Sequence, residues 1–225
     1  MTEGLPLSFE NVALPGMDDP GLCLEIPEHS ATAVIGKTST GVDSLGSFAL
    51  GLSSPEKGRA LLYGKVVSEM PRRHALAFRR KVGYLPAGDG LLQNLTLRDN
   101  VALPLRFGSD LSERDTTSRV GLMLSMFGVG NASELRPVQA TVEQRRRTAL
   151  ARALAFDPQL VILEQFFDGL TPRAASALLE LALGGVTVEG SRRALLVTGR
   201  YLPDQLRPRI ERRFWIKDGA LSTDD

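Results

Sequence analysis

The chain has one cysteine, Cys23, one tryptophan and two histidines, His29 and His74, among 225 residues. A lone cysteine excludes an internal disulfide and a cysteine-based metal cluster, and two histidines far apart in unlike contexts argue against a histidine metal site or a triad. Long apolar runs are also missing. Stretches such as Leu160 to Leu163 are far too short to cross a bilayer, and the N-terminus lacks the charged-then-apolar pattern of a secretory signal. The expectation is a cytosolic protein with no direct membrane insertion, meeting a membrane only through a partner. Charge of one sign is lacking too. With 27 Lys and Arg against 26 Asp and Glu, a formal charge of +1 gives no support to a nucleic-acid partner, although arginines cluster at 72–73, 79–80, 145–147 and 207–213. Such clusters read first as solvated helix faces.

What is present is an alternation of short apolar runs with helical stretches. Leu7 to Leu14 and Leu22 to Ile26 alternate as half-buried strands around a turn from Pro15 to Gly21. Gly58 to Val66 reads as a short hairpin turning at Gly64, Arg72 to Arg80 as a helix, and Lys81 to Pro86 as a strand entering a loop at Ala87 to Gly90. From Ser109 to Phe156 the pattern is helical, with Val120, Leu122, Met123, Met126 and Phe127 expected on one face and a helix from Thr148 to Leu154 opened by the arginine run. Leu160 to Leu163 and Ala194 to Thr198 read as buried strands, Arg173 to Leu183 as a helix, and Phe214 to Leu221 as a hairpin on Asp218-Gly219. At this length one large domain, 1–225, suffices, with a helical insertion at about 91–156. The expected class is α/β: a mostly parallel sheet with an antiparallel side.

The rest is organised around Ala31 to Leu52. A strand at Ala33 to Ile35 runs into a Gly/Ser/Thr-rich loop and then a helix carrying Leu45, Phe48, Ala49 and Leu52. In a loop of the form G-x-x-x-x-G-K-[ST], backbone amides cradle phosphates, the Lys reaches the β and γ phosphates, and the hydroxyl holds Mg²⁺. Gly36 and Gly41 have that spacing, but Val42 stands where Lys belongs and Asp43, followed by Ser44, where the hydroxyl belongs. Two unit charges about 4 Å apart interact by roughly 4 kcal/mol gross at an effective dielectric near 20, so a carboxylate at Asp43 repels phosphate. Lys37, one residue past the strand, is the remaining candidate to bend inward and offset this.

The order of segments resembles the ATP-binding subunits of ABC transporters over nearly the whole chain. The residues that carry the likeness are Ile35 to Leu45, Val82 to Ala87, Leu91 to Leu105, Arg147 to Pro158 and Phe167 to Pro172. This implies a P-loop NTPase-like ABC ATPase fold. Around Asn94 to Leu105 the chain looks most like the subunits that energise bacterial lipid-transport systems of the Mla type. The resemblance also implies that the region of Leu92, Leu95 and Leu103 lies by the groove that receives a permease's cytoplasmic helix.

Measured against that family, the chemistry is missing. Ala87 stands where a Gln would touch Mg²⁺ and the attacking water; Gly199 stands at the switch His, and Thr171 at an Asp. The signature LSGGQ aligns with Ala140, Thr141, Val142, Glu143 and Gln144, so two glycines that would approach phosphate have become Val and Glu. Glu164 takes the place of the Mg²⁺-ordering Asp and Gln165 that of the catalytic Glu. An amide cannot accept the water's proton, and general base catalysis is typically worth about 10² to 10⁴ in rate. No aromatic stands between Leu14 and Gly21 to stack adenine.

The expectation is a non-catalytic ABC-type subunit, structural or regulatory in a membrane transporter, with ATP and magnesium weak or absent and no metal site. It would sit on the inner face of a membrane through a permease subunit, with an ATPase-like dimer partner. Two alternatives stay open at this point: a weak or unusual ATPase in which Lys37 and Glu164 have taken over roles, and a free cytosolic adaptor.

Overall fold

In the computed structural model, which describes residues 5–184 and 192–223, the chain begins with β1 (Leu7–Val12), β2 (Leu22–Ile26) and β3 (Ala31–Ile35). After α1 (Leu45–Ala49) come β4 (Arg59–Leu62), α2 (Arg72–Arg79) and β5 (Val82–Leu85). Three helices follow, α3 (Leu97–Gly108), α4 (Glu113–Met126) and α5 (Val142–Ala153). The chain then runs through β6 (Leu160–Glu164), α6 (Pro172–Leu183), β7 (Ala194–Gly199), β8 (Arg212–Lys217) and β9 (Ala220–Thr223).

Because β3, β6 and β7 are buried at every position, both faces of their sheet must be covered. They lie at the centre of a six-stranded sheet of order β5-β6-β7-β3-β8-β9, parallel except for the closing β8-β9 hairpin. The period of two then sorts each strand. Val161, Leu163, Leu195, Val197, Ala33 and Ile35 share a core with α3 to α6, while Leu160, Ile162, Leu196 and Val34 pack with α1 and the antiparallel sheet β2-β1-β4. The α/β architecture with an antiparallel side is as the sequence implied.

Four local readings change. On α4 the buried set is Val120, Met123 and Leu124, followed by Phe127. That i, i+3, i+4, i+7 spacing leaves Leu122, about 200° around from Val120, 55% exposed, and Met126 outside as well. Helix α5 starts earlier than expected. The Thr141 hydroxyl accepts from the Gln144 amide (3.2 Å) and the Gln144 side chain accepts from the Thr141 amide (2.9 Å), so this capping box, not the arginine run, opens the helix. Helix α1 is short because Gly51, at φ +60°, ends it and turns Leu52 outward. In the segment from Gly58 to Val66, β4 pairs with β1, and only the bridge Leu62 to Lys65 spans the turn at Tyr63-Gly64.

The connection into α3 is held by a buried amide. Asn100 is fully buried; it accepts from the Leu92 amide (2.8 Å) and donates to the carbonyls of Leu92 (3.1 Å) and Thr96 (3.0 Å). Asn100→Ala would strand those backbone groups, at a cost of about 2 kcal/mol or more. A fall in Tm of roughly 4–8 °C is expected for a chain of this size. A thermal melt of the variant indistinguishable from the wild type would contradict this account of the loop.

Candidate functional site

In an open α/β sheet, ligands meet the loops at the carboxyl ends of the strands. Here four such loops converge: 36–44 after β3, 86–91 after β5, 165–171 after β6 and 199–203 after β7. The first is wound into two 3-10 turns, Thr38–Thr40 and Val42–Ser44, joined at Gly41 with φ +73°. Pro15 lies so close to Gly41 that a Cβ there would sit 2.6 Å from the proline Cδ. Within the loop the amides of Thr40, Gly41 and Ser44 donate to the carbonyls of Lys37 (2.9 Å), Thr38 (3.2 Å) and Gly41 (2.9 Å). The Thr40 hydroxyl also donates to the Lys37 carbonyl (2.7 Å). These donors point inward on the loop.

Val42 is completely buried and belongs to the apolar cluster that contains Leu14 and Leu45. Lys37 lies on the surface of the loop. It is exposed, with no salt bridge among the described residues. Asp43 is instead met by Gln165, whose amide nitrogen donates to Asp43 Oδ2 at 3.0 Å. Gln165 itself sits at φ +45°, and its carbonyl accepts from the Asp168 amide (3.2 Å) and from Arg146 (3.3 Å). Burial lowers the pKa of that Arg146 guanidinium, the nearby Asp89 and Asp168 carboxylates opposing the effect.

Glu164, at 3% exposure, is the second carboxylate of the site. Its Oε2 accepts from the Tyr84 hydroxyl (2.8 Å) and the Ala87 amide (3.4 Å), so Ala87 contributes backbone alone. Its Oε1 has no partner of good geometry and lies against the Gly46 backbone, where an added Cβ would come within 2.4 Å. Asp43 Oδ1 is likewise buried and unpartnered. Burial raises the Glu164 pKa most; the Tyr84, Ala87 and Gly46 hydrogen bonds lower it, and the Asp43 charge raises it further. Tyr84 is pushed up by its own burial and by Glu164. Two carboxylates thus face the space where the phosphate-loop pattern calls for Lys and a hydroxyl. Among the described residues no group of three or more His, Cys, Asp or Glu is placed to hold a metal.

The remaining positions serve the fold. Gly199 accepts from the Gly36 amide (2.9 Å), and the following Arg200 pairs with Asp168 (2.7 Å). Thr171 caps α6, accepting from the Ala174 amide (3.2 Å). On the signature segment, Val142 packs over Gly169, whose added Cβ would sit 2.9 Å from the Val142 Cγ1. Glu143 is paired with Arg147 (2.7 Å), which offsets its charge, and Gln144 is spent in the cap. Leu92 is 45% exposed, while Leu95 and Leu103 are half-buried. Leu103 lines a groove of about 560 Å³ with Leu76, Pro104 and Phe107, and Phe107 is 82% exposed.

Two features escape a reading of motifs. Tyr84 is one, since its hydroxyl joins β5 to β6 through Glu164. The other is buried Asp89, which pairs with Arg145 (3.1 Å) and accepts the Leu91 amide (3.0 Å), while Arg152 donates to the carbonyls of Asp89 (3.1 Å) and Gly90 (2.8 Å). These contacts tie the loop after β5 to α5. The one sequence signal was a charged residue, Asp89, amid a Pro/Gly loop.

A parallel sheet with loops so placed, an antiparallel side and a helical insertion define a P-loop NTPase-like α/β cassette. The fold matches the dimeric bacterial ABC transporter cassette MJ0796 with a TM-score of 0.82 at 21% identity, covering 96% of this chain and 98% of that one. It also matches cbiO1 from Clostridium perfringens, part of the ABC transporter complex cbiONQ, at 0.77 and 20%, covering 98% and 88%. Residues 21–166 match the family described as ABC transporter, and the chain belongs to that family. It is 29% identical over 158 residues to the methionine import ATP-binding protein MetN 1 of Acinetobacter baylyi, covering 70% of this chain and 44% of that protein. To the intermembrane phospholipid transport system ATP-binding protein MlaF of Haemophilus influenzae it is 30% identical over 160 residues, covering 71% and 61%. The chain spans about half the length of the first of these relatives.

Glu164 gives the site a signature in pH. A carboxyl whose folded pKa is raised above its unfolded value favours the native state below the unfolded pKa, and that contribution is lost as pH rises through the folded pKa. Glu164→Gln keeps an acceptor for Tyr84 and removes the titration. The Tm of E164Q relative to wild type is therefore expected to be smallest near pH 4 and to rise steadily toward pH 8. A pH-independent difference would mean that Glu164 titrates normally.

Proposed function

We propose that the chain is a non-hydrolysing ABC-type subunit that keeps the cassette's shape and docks on a membrane permease without needing nucleotide. One observation carries this reading. The position of the phosphate-binding Lys is a valine inside the apolar core, and the adjacent Asp43 is bonded to Gln165, the residue in the place of the general base. Phosphate does not fit there. It would meet the carboxylates of Asp43 and Glu164, no Lys at position 42, and a loop whose Thr40, Gly41 and Ser44 amides are already engaged; no hydrolytic step is therefore assigned to this site. The signature segment offers no compensating surface, because Val142 and Glu143 stand where glycines would let the backbone approach phosphate. We assign no ATP, no Mg²⁺ and no nucleic acid to the chain.

The partner face is the groove lined by Leu103 with Leu76 and Phe107; of the three leucines expected at a docking surface, Leu92 and Leu95 do not line it. A phenylalanine left 82% exposed at the mouth of an apolar groove favours a covered, macromolecular contact. The protein would then lie on the inner face of the membrane, held by a permease and able to pair with a second ATPase-like subunit through a nucleotide-independent contact. The names of its relatives include methionine import and phospholipid transport. We favour lipid transport, on the resemblance of 94–105.

The test is recovery of a membrane partner from detergent extracts with and without Mg-ATP, beside a hydrolysis assay of the purified chain. Equal recovery under both conditions and background hydrolysis are expected. Phe107→Asp should lower recovery about tenfold or more, the weight of one buried aromatic side chain, with the far-ultraviolet spectrum unchanged. A complex that forms only with ATP, or turnover matching an intact cassette assayed in parallel, would contradict the proposal.

A further inference from the structure

We propose that the chain carries a second binding site, for a phosphate-bearing anion, at the pole of the sheet opposite the phosphate loop. A cavity of about 640 Å³ opens there. Its walls come from segments that precede strands: Glu28 before β3, Arg80 and Lys81 before β5, and residues 156–159 before β6, closed by the turn that carries Tyr63 and Lys65. Strands of four to five residues separate it from the loop 36–44 by about 13–17 Å, so it shares no side chain with that loop, while Arg80 and Phe156 line both this cavity and the groove beside Leu103.

The charges lining it do not cancel. Lys65, Arg80 and Lys81 are exposed, and none has a salt bridge among the described residues. Of the two acids, Asp157 is committed to Arg193, and Glu28 lies 4.0 Å from His29. The Lys81 ammonium is held between two rings, 5.4 Å from the Tyr63 centroid and 5.2 Å from that of Phe78, which fixes its direction before any ligand arrives. Tyr63 adds a hydroxyl that is buried and has no hydrogen-bond partner. Burial, with Glu28 second, pushes that phenol up to about 12, so at neutral pH it remains an O–H donor.

Arg80 and Lys81 also lie at the C-terminal end of α2, where cations are favourable to the helix dipole. That accounts for neither Lys65, which comes from a different segment, nor the unpaired phenol. Three cations from two chain segments and the flat walls of Phe78 and Phe156 suit a phosphate group carried on an organic body, and a small shift of the Tyr63 ring would bring its closed-off hydroxyl to the same group. Such a group is offered both by soluble phosphate compounds and by the headgroups of anionic lipids.

Two titrations distinguish these sources. One is calorimetry with pyrophosphate; the other is co-sedimentation with vesicles of equal parts phosphatidylglycerol and phosphatidylcholine, compared with phosphatidylcholine alone. Saturable binding is expected in one arm, weakened about tenfold or more by Lys65→Ala with Lys81→Ala, whose exposed side chains the fold does not need. Tyr63→Phe should weaken the same arm to a lesser degree. Pyrophosphate binding assigns a soluble ligand, and vesicle binding selective for phosphatidylglycerol assigns a lipid. Absence of binding in both arms, or binding unaffected by the double variant, would overturn the site.

Discussion

The hydrogen bond from Gln165 to Asp43 is the contact on which the rest of the nucleotide face depends. It joins the loop after β3 to the loop after β6 directly, across the space where the phosphate-loop pattern calls for phosphate and Mg²⁺. With Val42 drawn into the core beneath it and Glu164 held by Tyr84 and Ala87, the three loops are fastened to one another by side chains. The arrangement is a tight one. Gly46 must be glycine because Glu164 Oε1 fills the space of a Cβ, and Gly41 because Pro15 does the same.

The changes are also mutually consistent. Asp43 alone would strand both carboxylate oxygens; the Gln165 amide nitrogen satisfies Oδ2, while Oδ1 stays buried without a partner. On the signature side Glu143 is offset by Arg147 and Thr141 is used as a helix cap, so the segment is stable as the start of α5 whatever faces it. Asp89 and its two arginines anchor the loop after β5 to the helical insertion, which fixes the groove near Leu103 without a ligand.

Most of the architecture was legible in the sequence because its signals are local. Continuous apolar runs at 160–163 and 194–198, Asp218-Gly219 in a tight turn and the apolar face of the helix at 173–183 each state their structure within a few residues. The misreadings came where two periodicities compete or where a stop is supplied by one residue. Leu122 and Met126 are as apolar as Leu124, and only the packing of α4 selects the face. Of the candidate site, the residue types at each position were legible, but their partners were not. Nothing in sequence brings Gln165 to Asp43, 122 residues away, or Tyr84 to Glu164. Those contacts follow from strand order, which places β5, β6 and β3 with their carboxyl ends together.

The central claim is that these contacts occupy the nucleotide site in place of nucleotide. Calorimetric titration of the purified chain with Mg-ATP, at low ionic strength where charge effects are largest, tests it most directly. The account predicts no saturable heat at ligand concentrations that saturate an intact cassette run alongside. Micromolar, Mg²⁺-dependent binding with one site per chain would contradict it.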